Sequence, residues 1–181
     1  MRVFALTTGR TGSVTFAKAC EHVENFTSGH ESRFNKAGTD RLDYSDQHIE
    51  ADCRLSFFLG LMARRYPDAF YIHMRRSLGG IADSFTRCHK QSAYTGSVVA
   101  AWGKSIEPMS QGDYHKAALD YATATDANIS EFLKDREHMV FEIENDPKAA
   151  FVLFWERIGA TGDLDAALAE FDTKHNSGPK A

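Results

Sequence analysis

Two glycines, an arginine and several hydroxyl side chains share the segment Thr8-Gly9-Arg10-Thr11-Gly12-Ser13-Val14-Thr15. It lies between a strand-like run, residues 3–7, and an amphipathic helix pattern that begins near Phe16. Glycines permit a tight turn, and the first amides of a helix attract anions together with the helix dipole. Arg10 would project from this turn, and Ser13 and Thr15 would offer hydroxyl groups. The segment predicts an anion site, with a strand-to-helix turn that binds nothing as the alternative.

A second basic segment ends the strand-like residues 69–74 with Arg75 and Arg76. Ser84 follows two turns into the next predicted helix, so Arg76 and Ser84 could hold one phosphate from two sides. Arg87 lies one turn beyond Ser84 on the same helix face and adds positive charge. Ligands of open α/β sheets collect at the carboxyl ends of strands, where this arginine and the glycine turn both fall. A solvated basic cluster is the alternative.

A third segment, Gly29-His30-Glu31-Ser32-Arg33, follows the second strand-like run. Glu31 could take a proton from an acceptor group, and Arg33 could orient an anionic substrate. A zinc site is excluded, because no second histidine follows His30-Glu31 at the right spacing. A surface ion pair is the alternative.

Taken together, the three segments resemble the sulfotransferase superfamily over most of residues 2–90. Its donor-binding loop places a basic residue, a hydroxyl residue and a glycine in the order found in residues 9–14. Its 3′-phosphate motif has an arginine at a strand end and a serine eight residues later, as Arg76 and Ser84 are spaced. The segment Glu31-Ser32-Arg33 is similar to one of tyrosylprotein sulfotransferases, in which the glutamate is the proposed base. The later stretch 141–158 also looks like the closing strand and helix of the family, though less specifically.

The resemblance implies a P-loop-like fold and a transferase with 3′-phosphoadenosine 5′-phosphosulfate (PAPS) as donor and no metal. It implies a catalytic pair, with Glu31 as general base and Arg10 stabilising the leaving phosphate, and acceptor contacts from Glu31 and Arg33. The donor contacts it implies are Gly9, Arg10, Thr11, Gly12, Ser13, Val14, Thr15, Arg76, Ser84 and Arg87. The acceptor is a small molecule, carbohydrate, lipid or peptide with a hydroxyl or amine.

Two other functions compete with sulfuryl transfer. One is a nucleotide or small-molecule kinase, which the missing Gly-Lys-Ser/Thr of a Walker loop and the lack of an obvious strand-end aspartate for magnesium disfavour. The other is a non-catalytic nucleotide-binding remnant of the same fold. Tighter binding of PAPS than of ATP would distinguish a sulfotransferase from a kinase. Transfer in a single turnover would distinguish an enzyme from a non-catalytic binding module.

Short apolar runs alternate with helix patterns along the chain, which predicts an α/β fold with an open, mainly parallel sheet and helices on both faces. Strands are predicted at residues 3–7, 26–28, 49–51, 69–74 and 139–143. Helices are predicted over residues 16–23, 55–62, 78–85, 114–134, 151–158 and 164–171. Residues 32–48 and 91–113 are expected to be long loops or short irregular helices that form the substrate walls. Residues 175–181 are expected to fray.

Composition narrows the class of protein. The 181 residues favour one domain, and 43% hydrophobic residues suffice for a full core. Residues 1–104 carry a net charge of +4 and residues 105–181 carry −8, a balance that argues against a nucleic-acid partner. Three cysteines far apart predict a reducing cytoplasm. The sequence also predicts no membrane span and no signal peptide.

Overall fold

The computed structural model describes residues 1–91, 98–105, 114–173 and 175. Its sheet has five parallel strands in the order β2-β3-β1-β4-β5. The strands are β1 (Arg2–Thr7), β2 (Thr27–His30), β3 (His48–Ala51), β4 (Phe70–Arg75) and β5 (His138–Glu142). The α/β class and the parallel open sheet expected from the sequence are confirmed.

Helices connect the strands. The α-helices are α1 (Ser13–Cys20), α2 (Leu59–Arg65), α3 (Leu78–Gln91), α4 (Val98–Ser105), α5 (Tyr114–Leu133), α6 (Pro147–Ile158) and α7 (Leu164–Ala169). The described residues also form 3₁₀ helices at Gly38–Leu42, Cys53–Phe57 and Glu170–Asp172. No helix in the described part of the chain combines the length and apolarity needed to cross a membrane.

The central strand β1 is buried on both of its faces, as is typical of a parallel sheet between two helical layers. Val3 and Ala5 point into one apolar cluster, and Phe4 and Leu6 point into another; all four side chains are 0% exposed. Because side chains alternate between the two faces of a strand and both faces of β1 are covered, the strand is apolar at every position from Val3 to Leu6. This explains why the sequence signal for β1 is a continuous apolar run.

Phe16 of α1 organises the first apolar cluster, which α1, α6 and α7 form against the sheet. Its ring centroid lies 5.4 Å from that of Phe141, 5.8 Å from that of Phe151 and 5.2 Å from that of Phe154. Edge-on and tilted rings at these distances add stabilisation to the burial of apolar area. This packing holds the start of α1 against the carboxyl end of the sheet.

The opposite face of the sheet is covered by α2 and α5, with residues from the segments before them. A third cluster joins α3, α4 and α5 beside it. Helices therefore cover both faces, as the sequence predicts.

The connections diverge between β1 and β4. After β1 the chain goes to β2 on one side of the sheet, and after β4 it goes to β5 on the other. In open α/β sheets such a divergence opens a crevice at the carboxyl ends of the two strands, where ligands bind. The glycine segment and Arg76 follow these two strands directly.

One helix prediction differs from the structure. The single helix predicted over residues 55–62 is divided into the 3₁₀ helix Cys53–Phe57 and α2, because Phe58 between them has non-helical backbone angles, φ −115° and ψ 15°. Within residues 91–113, where loops or short irregular helices are expected, the structure forms the short helix α4, which contains two valines and Gly103, residues with low helix propensity. Residues 92–97 and 106–113 of that segment, and 176–181 of the predicted tail, lie outside the described residues.

Replacing Phe16 by alanine should lower the free energy of unfolding by about 3–5 kcal/mol, because it leaves a cavity among three aromatic rings. Leu153→Ala on α6 is the matched control, since Leu153 is 61% exposed and its loss should cost about 0.5 kcal/mol or less. Urea unfolding followed by circular dichroism measures both. Equal losses would mean that Phe16 does not organise this cluster.

Candidate functional site

The glycine segment forms a tight turn between β1 and α1. Gly9, Arg10 and Gly12 have left-handed φ angles of 84°, 62° and 83°. A Cβ on Gly12 would lie 2.7 Å from the side chain of Ile143, and one on Gly9 would lie 3.2 Å from the ring of Phe85. The backbone angles favour glycine at both positions, and at Gly12 a side chain would also have no space unless Ile143 moved.

The start of α1 suits an anion. Gly12 occupies the N-cap position without a capping side chain, and the first turn of the helix contains no acidic residue. The first amides of an α-helix have no partner within the helix, and they lie at the positive end of its dipole. This turn therefore offers backbone donors and positive potential to a phosphate or sulfate group.

Buried hydroxyl groups stabilise the turn through hydrogen bonds to its backbone and to the backbone just before it. The Gly9 amide donates to Thr7 Oγ1 at 2.9 Å, and Ser56 Oγ donates to the Thr7 carbonyl at 3.0 Å. Tyr121 of α5 donates its hydroxyl to the Thr8 carbonyl at 3.0 Å. Burial raises the pKa of Tyr121, so this hydroxyl keeps its proton and remains a donor. The helix pattern over residues 114–134 does not show what a buried hydroxyl contacts, so the sequence motifs did not mark Tyr121 as part of this site.

Arg10 joins the turn to the second basic segment. Its Nε donates to Ser84 Oγ at 3.0 Å, and its carbonyl accepts from Arg76 Nη1 at 3.3 Å. The structure therefore brings together three of the residues that the sequence singled out. Ser84 is only 3% exposed and its hydroxyl accepts from Arg10, so a ligand at Ser84 would have to displace or share this contact.

Of the two adjacent arginines, Arg76 is the one that contacts the turn. Arg75 points to α5, where its Nη2 lies 3.2 Å from a carboxylate oxygen of Asp126. Arg76 Nε also pairs with Glu144 Oε1 at 3.0 Å. Arg87 is exposed on α3, and none of the contacts found among the described residues joins it to the turn.

Glu144 is a residue of this site that the sequence motifs missed. The Ser77 amide and the Arg76 guanidinium both donate to its carboxylate, and they lower its pKa. The negative charge of Glu144 offsets the positive charge of Arg76, so a phosphate bound at Arg76 would have to share Arg76 with Glu144 or displace Glu144. Only the pairing of β4 with β5 brings residue 144 next to residue 76.

Glu31 lies beside the turn, held by a second set of contacts. Its carboxylate pairs with Arg54 and accepts from Cys53 Sγ at 3.4 Å. The Cβ of Cys53 lies 3.6 Å from the position of a Cβ on Gly9, so this cysteine lies between Glu31 and the turn. Burial and the negative charge of Glu31 raise the pKa of Cys53, which keeps it a thiol. His30 Nε2 lies 3.1 Å from Ser13 Oγ and also links the end of β2 to α1.

Arg33 does not accompany Glu31. Its guanidinium donates to the Asp40 carbonyl at 2.9 Å and lies 5.5 Å from the ring centroid of Tyr44. Arg54, from the segment after β3, takes the place beside Glu31 that Arg33 was expected to fill. No sequence spacing marks Arg54, but the carboxyl ends of β2 and β3 meet at one edge of the sheet.

Asp52 directly follows β3 at the end of the strand. A ligand atom of its carboxylate, one of Glu31 and the Cys53 thiol all lie within 4.8 Å of one another. Asp52 is 0% exposed and paired with Arg41, and it accepts from the Arg54 amide at 2.8 Å. Arginines thus compensate both carboxylates of this cluster, which makes it a poor cation site and a rigid support for Cys53 and Arg54.

A groove of about 1190 Å³ opens beside the Glu31–Arg54 pair. Both segments that were expected to form substrate walls contribute to it. Phe34, Lys36 and Arg41 come from residues 32–48, and Val98 and Trp102 come from α4.

No protein-family model, no curated protein and no solved structure matches this chain.

Replacing Gly12 by alanine should destabilise the fold more than replacing Gly38 by alanine. Both glycines have left-handed backbone angles, so both variants carry about 1–2 kcal/mol of backbone strain. A methyl group at position 38 meets nothing within 4 Å, whereas one at position 12 meets Ile143 at 2.7 Å. The additional loss at Gly12 should be about 1–3 kcal/mol by urea unfolding. Similar losses in the two variants would show that α1 and Ile143 are not packed this closely.

Proposed function

We propose that this chain is a sulfotransferase that moves a sulfuryl group from PAPS to a hydroxyl or amine acceptor. The observation that carries the proposal is the contact of Arg10 with both Ser84 and Arg76 at the turn after β1. Residues from two of the three sequence segments, the glycine segment and the basic segment after β4, meet there, at the point where the strand connections diverge. The resemblance of those same segments to the superfamily supports the choice of donor and a P-loop-like architecture.

The turn and Arg10 would bind the 5′ end of the donor. As the sulfur–oxygen bond to the donor phosphate breaks, negative charge grows on the phosphate oxygen that leaves. The first amides of α1 and the Arg10 guanidinium are donors that can stabilise this charge. Such a reaction depends mainly on positioning and electrostatic stabilisation, as phosphoryl transfer does. Ser13, Val14 and Thr15, which are half-buried at the start of α1, complete this part of the donor site. The Thr11 side chain is 0% exposed and its hydroxyl pairs with that of Thr7, so Thr11 would contribute only backbone.

Arg76, Ser84 and Arg87 would bind the 3′-phosphate, the group that distinguishes PAPS from ATP. Arg76 already contacts the turn, and Ser84 lies under Arg10. A phosphate between them would draw the Arg76 guanidinium from Glu144 and the Ser84 hydroxyl from Arg10. The donor site would then be assembled as the nucleotide binds.

Glu31 would take the proton of the acceptor as the new bond between acceptor and sulfur forms. Arg54 holds the Glu31 carboxylate in place from one side, and Cys53 holds it toward the turn. The products are 3′-phosphoadenosine 5′-phosphate, the sulfated acceptor and the proton held by Glu31. Because Arg33 points elsewhere, we assign the orienting role beside Glu31 to Arg54.

A kinase fits the site less well. Asp52 stands at a strand end, where it could serve a magnesium ion, but it is fully buried and paired with Arg41. The turn carries Arg10 and no Walker lysine. A non-catalytic binding module remains the second candidate, favoured by the ion pair that occupies Glu31.

Arg76→Met should weaken the binding of 3′-phosphoadenosine 5′-phosphate about tenfold to a hundredfold, the effect of losing a charge-assisted hydrogen bond. Arg75→Met is the matched control, because Arg75 pairs with Asp126 instead, and its affinity should change less than about twofold. Isothermal titration calorimetry measures both, with ADP and ATP as further controls. Equal losses in the two variants, or equal binding of ATP, would contradict the proposed donor site.

Glu31→Gln should lower turnover about a hundredfold or more, because the amide cannot accept the proton. The affinity for 3′-phosphoadenosine 5′-phosphate should stay unchanged. Transfer of a radiolabelled sulfuryl group from PAPS to 2-naphthol provides the assay, and Glu24→Gln at an exposed position is the control. A fully active Glu31→Gln protein would remove the base assignment, and no transfer by the unmodified protein to any hydroxyl acceptor would favour the binding module.

A further inference from the structure

The groove beside Glu31 has an apolar surface that is open to solvent. Phe34 is 60% exposed, Phe57 is 56% exposed and Leu61 is 46% exposed, and all three line it. Large apolar side chains exposed together in a concave surface indicate a binding site. The groove also contains Phe58 and Trp102, so four aromatic side chains line it.

The charge of the groove has one sign. Its described lining contains five cationic side chains and no carboxylate: Lys36, Arg41, Arg54, Arg64 and Arg65. Three of the five are paired with carboxylates that lie outside the lining, those of Asp52, Glu31 and Asp43. Among the described residues, no carboxylate lies within 4 Å of Lys36 or Arg64. These two cations are therefore available to an anionic ligand.

Aromatic contacts connect the groove with Glu31. The Arg54 guanidinium lies 5.5 Å from the ring centroid of Phe34, and the same guanidinium pairs with the Glu31 carboxylate. A flat ring placed along Phe34 would thus approach the proposed base. The groove has a volume of about 1190 Å³, which exceeds what a single aromatic ring needs.

We infer that the groove binds a hydroxylated aromatic acid with more than one ring, and that this is the chemical class of the acceptor. The rings would lie among Phe34, Phe57 and Trp102, and the acid group would face Lys36 and Arg64. The hydroxyl group would face Glu31. The role of this ligand as acceptor rests on the proposed sulfuryl transfer, whereas its binding does not.

Binding of 6-hydroxy-2-naphthoate in the absence of any nucleotide tests the ligand class. By calorimetry it should bind about tenfold more tightly than 2-naphthol, which has the same rings and hydroxyl but no charge. The double variant Lys36→Gln/Arg64→Gln should reduce this preference to less than about threefold. Lys134→Gln, which changes an exposed lysine outside the groove, should leave the preference unchanged.

Each outcome decides the inference. Equal binding of naphthoate and naphthol, unchanged preference in the double variant, or no binding of either compound would overturn it. If the naphthoate binds selectively but 3′-phosphoadenosine 5′-phosphate does not bind, the groove keeps its ligand and the sulfotransferase proposal fails. If the nucleotide binds and the naphthoate does not, the donor site stands and the acceptor class is wrong.

Discussion

The other groups at the carboxyl edge of the sheet depend for their positions on the backbone conformation of residues 9–12. Three of its residues have left-handed φ angles, and Gly12 lies against Ile143 where a methyl group would not fit. The shape of this turn determines where the first amides of α1 lie and where Arg10 projects. Arg10 in turn contacts Ser84, which lies on α3, and Arg76, which directly follows β4. A change in the turn would therefore alter each contact on which the proposed donor site depends.

Charge at this edge is compensated in pairs, and the proposed chemistry requires those pairs to exchange partners. Glu31 is held by Arg54, and Arg76 is held by Glu144. An anion bound at the turn would compete with Glu144 for Arg76, while an acceptor would compete with Arg54 for Glu31. Such pairs keep charged groups positioned near a ligand site without leaving them uncompensated. The groove differs from this edge, because Lys36 and Arg64 lack such partners among the described residues.

Local patterns predicted the strands, most helices and the turn after β1. The continuous apolar run of β1 and the helix pattern of residues 151–158 are properties of neighbouring residues, so the positions of β1 and α6 could be predicted directly. The pairings Arg54 with Glu31 and Glu144 with Arg76 could not, because each joins residues that are far apart in sequence. Strand order determines which loop ends meet, and no spacing in one sequence encodes it. For the same reason the sequence favours Arg33 as the neighbour of Glu31, whereas in the structure Arg54 pairs with Glu31.

The most direct test of the donor site is to follow backbone amide resonances of the 181-residue chain by NMR while 3′-phosphoadenosine 5′-phosphate is added. The account predicts large shifts for residues 9–15 and 76–77 at nucleotide concentrations where ADP causes little change. Residues 164–169, in α7, pack on the apolar face of α1 and should not respond. Unchanged resonances at 9–15, or an equal response to ADP, would contradict a site for the 3′-phosphorylated nucleotide at this turn.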